Sequence, residues 1–403
     1  MASLAGRQRR HGSMARPWLL ASVVLLMAPE KPFALISMRS KAAQIEEGSD
    51  ADSDDTVGLP ELLIMSSPLE KKISYVQLVN FEAVGQAVRP LIDAGLDQPY
   101  GVAYHAETGS LYVADYGLQK ILRYGLALMP CKGGVESCGG LQWELVVKET
   151  QRAVVTDVLA RWVGVDKGGN LFYTVETRNS ICRLSAHTLS DIAAGYTPAE
   201  NLKKVTFNEA VALGDARSSQ DLVVDLYGSS AGGELVNGPS GLSLDGAGNV
   251  VWGNIGGSAG RGSVVYGIAQ PKLGASMLPK PTDLAGIVDS PADVAFSAAM
   301  VLFSAQKKSV YGICNGMRRV TLLTDTFVVP RGIIWDGDNT AYVADHGADA
   351  VFSIPTGRCR RGIVKRKTVN FKGVYGLAIV TAADPTSDAP MGDLVGASAL
   401  PFD

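Results

Sequence analysis

Histidine and cysteine are scarce in this sequence, and the common signatures of enzymatic chemistry are missing. There are four histidines and five cysteines among 403 residues. No Gly-x-Ser-x-Gly elbow, His-Glu-x-x-His helix or phosphate-binding glycine loop occurs. Strong charge is lacking as well. A formal net charge of −3 provides no global field to attract nucleic acid or an anionic membrane, so neither is expected as a partner. Past the N-terminal region no apolar run reaches bilayer length, so no transmembrane span is expected in the body. The odd cysteine count leaves at least one thiol free or paired outside the chain.

What the sequence has in abundance is glycine, 45 residues, within an ordinary globular composition of 46% hydrophobic and 19% charged residues. That combination points to a turn-rich, all-β protein. At the start, Arg7, Arg9, Arg10 and Arg16 precede the apolar run Pro17 to Ala28. Residues 1–34 therefore read as a signal peptide, with an uncleaved membrane anchor as the alternative. Residues 35–59, which contain Glu46, Glu47, Asp50, Asp52, Asp54 and Asp55, read as an acidic disordered linker. Residues 60–381 form the body, and 382–403 read as a disordered tail.

The body repeats. Pro99-Tyr100-Gly101-Val102-Ala103, Leu111-Tyr112-Val113-Ala114-Asp115 and Lys120-Ile121-Leu122-Arg123-Tyr124 return as Pro330-Arg331-Gly332-Ile333-Ile334, Ala341-Tyr342-Val343-Ala344-Asp345 and Ala350-Val351-Phe352-Ser353-Ile354. Short β-rich runs broken by Gly, Asp and Asn are strands joined by tight hairpins. Weaker copies begin near Trp162, Gly241 and Asp293, which gives five. A lone first strand at 374–380 has its missing partners at 62–66 and 71–78. The spacing predicts an all-β, six-bladed β-propeller closed by N-terminal strands pairing with the C-terminal strand, an arrangement that leaves no free edge at the seam. Insertions are expected near 125–157 and 186–236.

These repeats resemble the NHL-repeat propellers and the wider six-bladed superfamily of gluconolactonase-like and strictosidine-synthase-like proteins. The resemblance spans roughly Leu62 to Val380. In the lactonase branch it implies a calcium site at the propeller mouth, with acid and amide ligands from the starts of the inner strands. The corresponding residues here are Tyr100, Arg161, Ser240, Ala292, Arg331 and Tyr375. None of these is a carboxylate or an amide, whereas calcium takes six or more oxygens. No metal and no catalytic residue is assigned, and no cofactor is expected, calcium entering only under the enzymatic alternative.

Tyr100, Arg161, Ser240, Arg331 and Tyr375 are instead the candidate ligand-binding residues of the funnel. Two guanidiniums at one mouth call for a loop carboxylate between them or an anionic ligand. Secondary candidates are Asp115, Asp345, His346 and Asp293, with Asp345–His346 the one acid/base pair in the repeats. The competing reading of the repeat aspartates is a turn cap. Asp166, Asp245 and Asp336 begin hairpin turns rather than calcium loops. Cys131 and Cys138 read as a local disulfide; Cys314 and Cys359 are placed so that a link is possible, and Cys182 is left over, buried in its strand. His187 falls in a loop. The basic cluster Arg358, Arg360, Arg361, Lys365, Arg366 and Lys367, echoed by Arg318 and Arg319, reads as a solvated edge that an acidic partner or glycan could use. The expectation is a secreted or lumenal, monomeric binding module for a protein, glycan or small anionic ligand. The alternative is a calcium-dependent hydrolase or lyase.

Overall fold

The computed structural model describes residues 61–79, 82–83, 88–132, 143–212, 222–228, 235–256, 261–269, 277–314 and 319–381. The signal, linker and tail readings, and Cys138, lie outside the described residues.

The first strands are β1 (Glu61–Ser67) and β2 (Lys72–Val79), followed by β3 (Glu82–Ala83) and β4 (Arg89–Ile92), which both pair with β2. Blade 1 is β5 (Pro99–His105), β6 (Ser110–Asp115), β7 (Lys120–Pro130) and β8 (Trp143–Val155). Blade 2 takes β9 (Ala160–Val165), β10 (Leu171–Val175) and β11 (Ser180–Leu184). It then detours through helix α1 (Ala186–Ala194), strand β12 (Lys203–Thr206) and helix α2 (Phe207–Ala212), and returns as β13 (Leu222–Tyr227). Here β12 adds a parallel fifth strand outside β13. Blade 3 is β14 (Pro239–Leu244), β15 (Val250–Asn254), β16 (Arg261–Gly267) and β17 (Thr282–Asp289). Blade 4 is β18 (Pro291–Phe296), β19 (Met300–Ala305), β20 (Val310–Cys314) and β21 (Val320–Thr324). Blade 5 is β22 (Pro330–Trp335), β23 (Thr340–Asp345), β24 (Ala350–Pro355) and β25 (Arg366–Asn370). Blade 6 combines β26 (Leu377–Thr381) with β1 and β2, Leu63 opposite Ile379 and Met65 opposite Leu377. The ring thus closes between the two ends of the described chain.

The hairpin turns follow from their chemistry. The Asp166 carboxylate accepts from Asn170 N and Nδ2, and Asp245 repeats both bonds with Asn249, all between 2.8 and 3.1 Å. Gly169 and Gly248 supply the positive φ that each turn needs, +79° and +76°. Within the 125–157 region the described residues of β7 and β8 pair as a long antiparallel hairpin. His187, placed in a loop by the sequence, lies on α1, whose Ser185 cap accepts from Thr188 N.

Why the blades stack follows from the two-residue period of a strand. Leu62 and Ile64 face blade 1 and join Val102, Leu111 and Val113. Leu63 and Met65, pointing the other way, join Tyr342, Ala344 and Val351 of blade 5. β1 is therefore apolar on both faces. The described residues form six apolar clusters, one in each gap between blades. Cys314 and Cys359 bond across the gap between blades 4 and 5, with Cα atoms 5.9 Å apart. Cys131 is also a disulfide cysteine, and Cys182 is a free, buried thiol.

Near the axis the inner strands approach too closely for side chains. A Cβ on Gly376 would stand 2.3 Å from the Tyr100 carbonyl oxygen, and one on Gly332 would stand 2.4 Å from that of Tyr375. Gly376→Ala should therefore destabilise the ring by about 1–3 kcal/mol, the cost of overpacking. Gly246→Ala, which meets nothing within 4 Å, should change stability by less than about 0.5 kcal/mol. Thermal unfolding followed by circular dichroism distinguishes them; equal melting temperatures would contradict the close approach.

Candidate functional site

The funnel mouth is shaped by irregularities in the inner strands. In β5, β9, β14, β18 and β22 the pairing register shifts close to the start of the strand. Each of these bulges contains the residue just before or at the axial approach: Tyr100, Arg161, Ser240, Ala292 and Arg331. A bulge re-aims side chains where regular pairing would alternate them. The carbonyls of Tyr100, Arg331 and Tyr375 are taken up by the wall. Ser66 Oγ donates to Tyr100 O and Ser304 Oγ to Arg331 O, while Gly332 N donates to Tyr375 O at 2.9 Å. With the backbone fixed, the side chains of the four larger residues are the groups left to act.

Four of the five funnel residues come together around Tyr375. Its ring is 4.5 Å from Tyr100 and 5.3 Å from Trp162, centroid to centroid, and Tyr100 meets Tyr116 edge-on at 5.9 Å. The Arg161 guanidinium lies over Tyr116 at 4.7 Å and over Tyr100 at 5.2 Å. It is held against the aromatic cluster rather than splayed into solvent. Burial pushes the Tyr375 phenol up, while the positive charges of Arg331 and Arg161 pull it the other way. Ser240 is not part of this group. It is buried, and its hydroxyl donates to Pro291 O at 2.7 Å, tying blade 3 to blade 4.

One carboxylate approaches the cations. Glu176 Oε2, from the turn after β10, stands 3.4 Å from Arg161 Nε, yet that nitrogen is buried without a hydrogen-bond partner. Glu176 is 42% exposed, and pairs of this kind contribute at most about 1 kcal/mol. Among the described residues no carboxylate pairs with Arg331.

The repeat acids serve the fold. Asp115 accepts from Asp97 N, Gln98 N and Leu118 N, and Asp345 from Val328 N and Val329 N. Each aspartate pins the loop leading into its own inner strand, and Asp115 also caps the following turn. His346 Nδ1 donates to Val374 O at 3.2 Å, and its ring leans on Tyr375 at 6.1 Å. The adjacent Asp345 is fully buried in its backbone contacts, so the acid/base pair suggested by the sequence is not assembled. Asp293 accepts from Val294 N and from Ile333 N of the next blade, both at 2.9 Å, and burial pushes its carboxyl well above the usual range. Among the described residues the mouth does not present the oxygen set a calcium ion takes. The inner-strand positions just before the axial approach carry no carboxylate or amide, Glu176 stands against Arg161, and Asp293 is committed to two N–H groups. Among the described residues no group of three His, Cys, Asp or Glu could hold a metal.

Sequence reasoning missed Tyr116, Trp162 and Glu176. Tyr116 directly follows the repeat aspartate Asp115, and Trp162 stands where most copies have the axial glycine. Those positions were the available signal, whereas nothing marked Glu176.

No protein-family model matches the chain, and no curated protein matches it. Solved structures do. A chain of the nidogen/laminin complex superposes with a TM-score of 0.54 at 12% identity, over 79% of this chain and 98% of that one. A gluconolactonase from Xanthomonas campestris gives 0.44 at 11% identity, over 78% and 86%. Virginiamycin B lyase from Staphylococcus aureus gives 0.40 at 12%, over 67% and 69%. At 12% identity the likeness to the nidogen/laminin chain shows the fold alone.

A second polar cluster lies away from the mouth, in blade 2. Tyr173, Cys182 and Asp225 sit side by side across β10, β11 and β13. Burial pushes Asp225 up to about 6, with Arg178 opposing, and burial pushes the Cys182 thiol up to about 11. Because folded Asp225 keeps its proton to a higher pH than the unfolded residue, its contribution favours folding below about pH 4. That contribution is lost as pH rises through about 6. Asp225→Asn keeps a neutral group of the same shape. The variant should match the parent near pH 4 and melt about 2–4 °C higher near pH 7.5, a gain of roughly 1 kcal/mol after allowing for partial exposure. Parallel melting curves across that range would refute the assignment.

Proposed function

We propose that this propeller is a binding module whose funnel captures the carboxylate or phosphate of an anionic ligand. The observation that carries this reading is the pair of positive charges acting on Tyr375: Arg161 stacks on Tyr100 and Tyr116 with a buried Nε that makes no hydrogen bond and only the half-exposed Glu176 as an ion-pair partner, and Arg331 has no carboxylate partner among the described residues. Like charges that face one partly dry site repel one another more strongly than they would in bulk water. A half-exposed glutamate offsets only part of that. An oxyanion between them would relieve the repulsion and accept directed hydrogen bonds, which is the geometry guanidinium favours. The aromatic cluster of Tyr100, Tyr116 and Trp162 would receive the rest of the ligand.

The calcium-dependent hydrolase or lyase reading finds no cluster of three His, Cys, Asp or Glu among the described residues to support it. A same-fold chain in the nidogen/laminin complex is compatible with a protein ligand, but 12% identity carries no partner across. The Cys314–Cys359 bond supports a secreted or lumenal location, where disulfides persist. Among the described residues no helix is long and apolar enough to cross a membrane.

The test is isothermal titration of the intact protein with citrate and with inorganic phosphate. The double variant R161M/R331M should keep its melting temperature within a few degrees and bind the responding anion at least about tenfold more weakly. Unchanged affinity in the variant, or no response of the parent to either anion, would refute the reading.

A further inference from the structure

Blade 5 carries a second cationic feature at the end opposite the mouth. The loop between β24 and β25 crosses this end, and a cavity of about 760 Å³ opens beneath it. Its rim holds Arg358, Arg360 and Arg366, and its wall includes Thr340, Pro355 and Val364. All three arginines are exposed, and among the described residues none forms an ion pair. Two acids stand at the neighbouring β22–β23 turn, and each accepts local hydrogen bonds through one oxygen, while Asp336 Oδ2 makes none. Asp336 accepts from Asp338 N and Thr340 N, and Asp338 accepts from Asn339 Nδ2.

The loop is held at several points. Cys359 is bonded to Cys314 of blade 4, Gly362 N and Ile363 N both donate to Leu323 O at 2.9 Å, and Thr356 N donates to Asn339 O at 2.7 Å. Lys365 belongs to the anchoring rather than to the basic surface on which the sequence placed it. Its ammonium turns inward between Phe327 and Phe352, at 4.3 and 3.8 Å from the ring centroids, and lies 3.5 Å from Asp345 Oδ2. The three arginines are thus presented on a pre-organised frame, which lowers the entropy cost of engaging a ligand.

We infer that this groove binds a short acidic peptide segment of a partner protein. Charge complementarity selects an anion, and guanidiniums pair bidentately with carboxylates. The wall argues for a peptide in particular: Val364 is 76% exposed and Pro355 is also exposed, and both line the same space as the arginines. A segment that places apolar side chains between its acids satisfies both features, whereas a sulfated polysaccharide would leave the apolar wall unused.

Fluorescence anisotropy with a labelled hexapeptide alternating glutamate and leucine tests this on the full chain. Saturable binding is expected, at least tenfold weaker in R358S/R360S, weakened by added salt, and unchanged in R161M/R331M. The last arm keeps this groove separate from the funnel. The inference falls if the full chain does not bind, or if R358S/R360S binds equally well. It also falls if a glutamate–serine hexapeptide binds as tightly, or if a heparin oligosaccharide binds more tightly than the peptide.

Discussion

Everything in this molecule depends on how closely the inner strands can approach the axis. Where Gly101, Gly332 and Gly376 face a neighbouring carbonyl, there is no room for a side chain. Where the anchor residue is Asp293, its carboxylate reaches across to Ile333 N instead. This crowding fixes the backbone of the residues just before the approach, so their side chains have little choice but to project toward the mouth. The funnel chemistry is therefore a by-product of packing. The ring needs small residues or backbone clips at one position, and the preceding position is left for recognition.

The same dependence explains the different fates of the polar candidates. A carboxylate at the end of the middle strand faces two or three backbone N–H groups of the incoming loop, and Asp115 and Asp345 are saturated by them. An N–H left buried without a partner is costly, so these acids are tied to the fold. Among the described residues the arginines at the mouth make no such backbone bonds, and Arg161 stacks on Tyr116 and Tyr100 instead.

The architecture was legible because two-residue alternation and turn chemistry are local signals. Asp166 with Asn170, and Asp245 with Asn249, declare their hairpins in sequence, and the missing partners of the strand at 374–380 could be found at the other end of the chain. The funnel was legible only through the repeat frame, which brings Tyr100, Arg161, Arg331 and Tyr375 into equivalent places. That frame could not show that the Ser240 hydroxyl is spent on Pro291, that Lys365 turns inward, or that Glu176 reaches Arg161. Those outcomes depend on which neighbour a side chain meets across a blade gap, and no spacing in the sequence encodes that. The groove in blade 5 was hidden for the same reason: its arginines were visible as a basic run, but the cavity beneath them arises from the loop's attachments to blade 4.

The closing pair has a mechanical consequence. Glu61 lies opposite Thr381 in the β1–β26 ladder, so the chain enters and leaves the ring at adjacent points on one rim. Tension applied between those two points would peel the ladder open one hydrogen bond at a time, the weakest way to load a pair of strands, rather than shear all its bonds together. The Cys314–Cys359 bond spans a different seam and carries none of that load at the outset. Under force this ring would open first at its latch, and blades 4 and 5 would be the last to part.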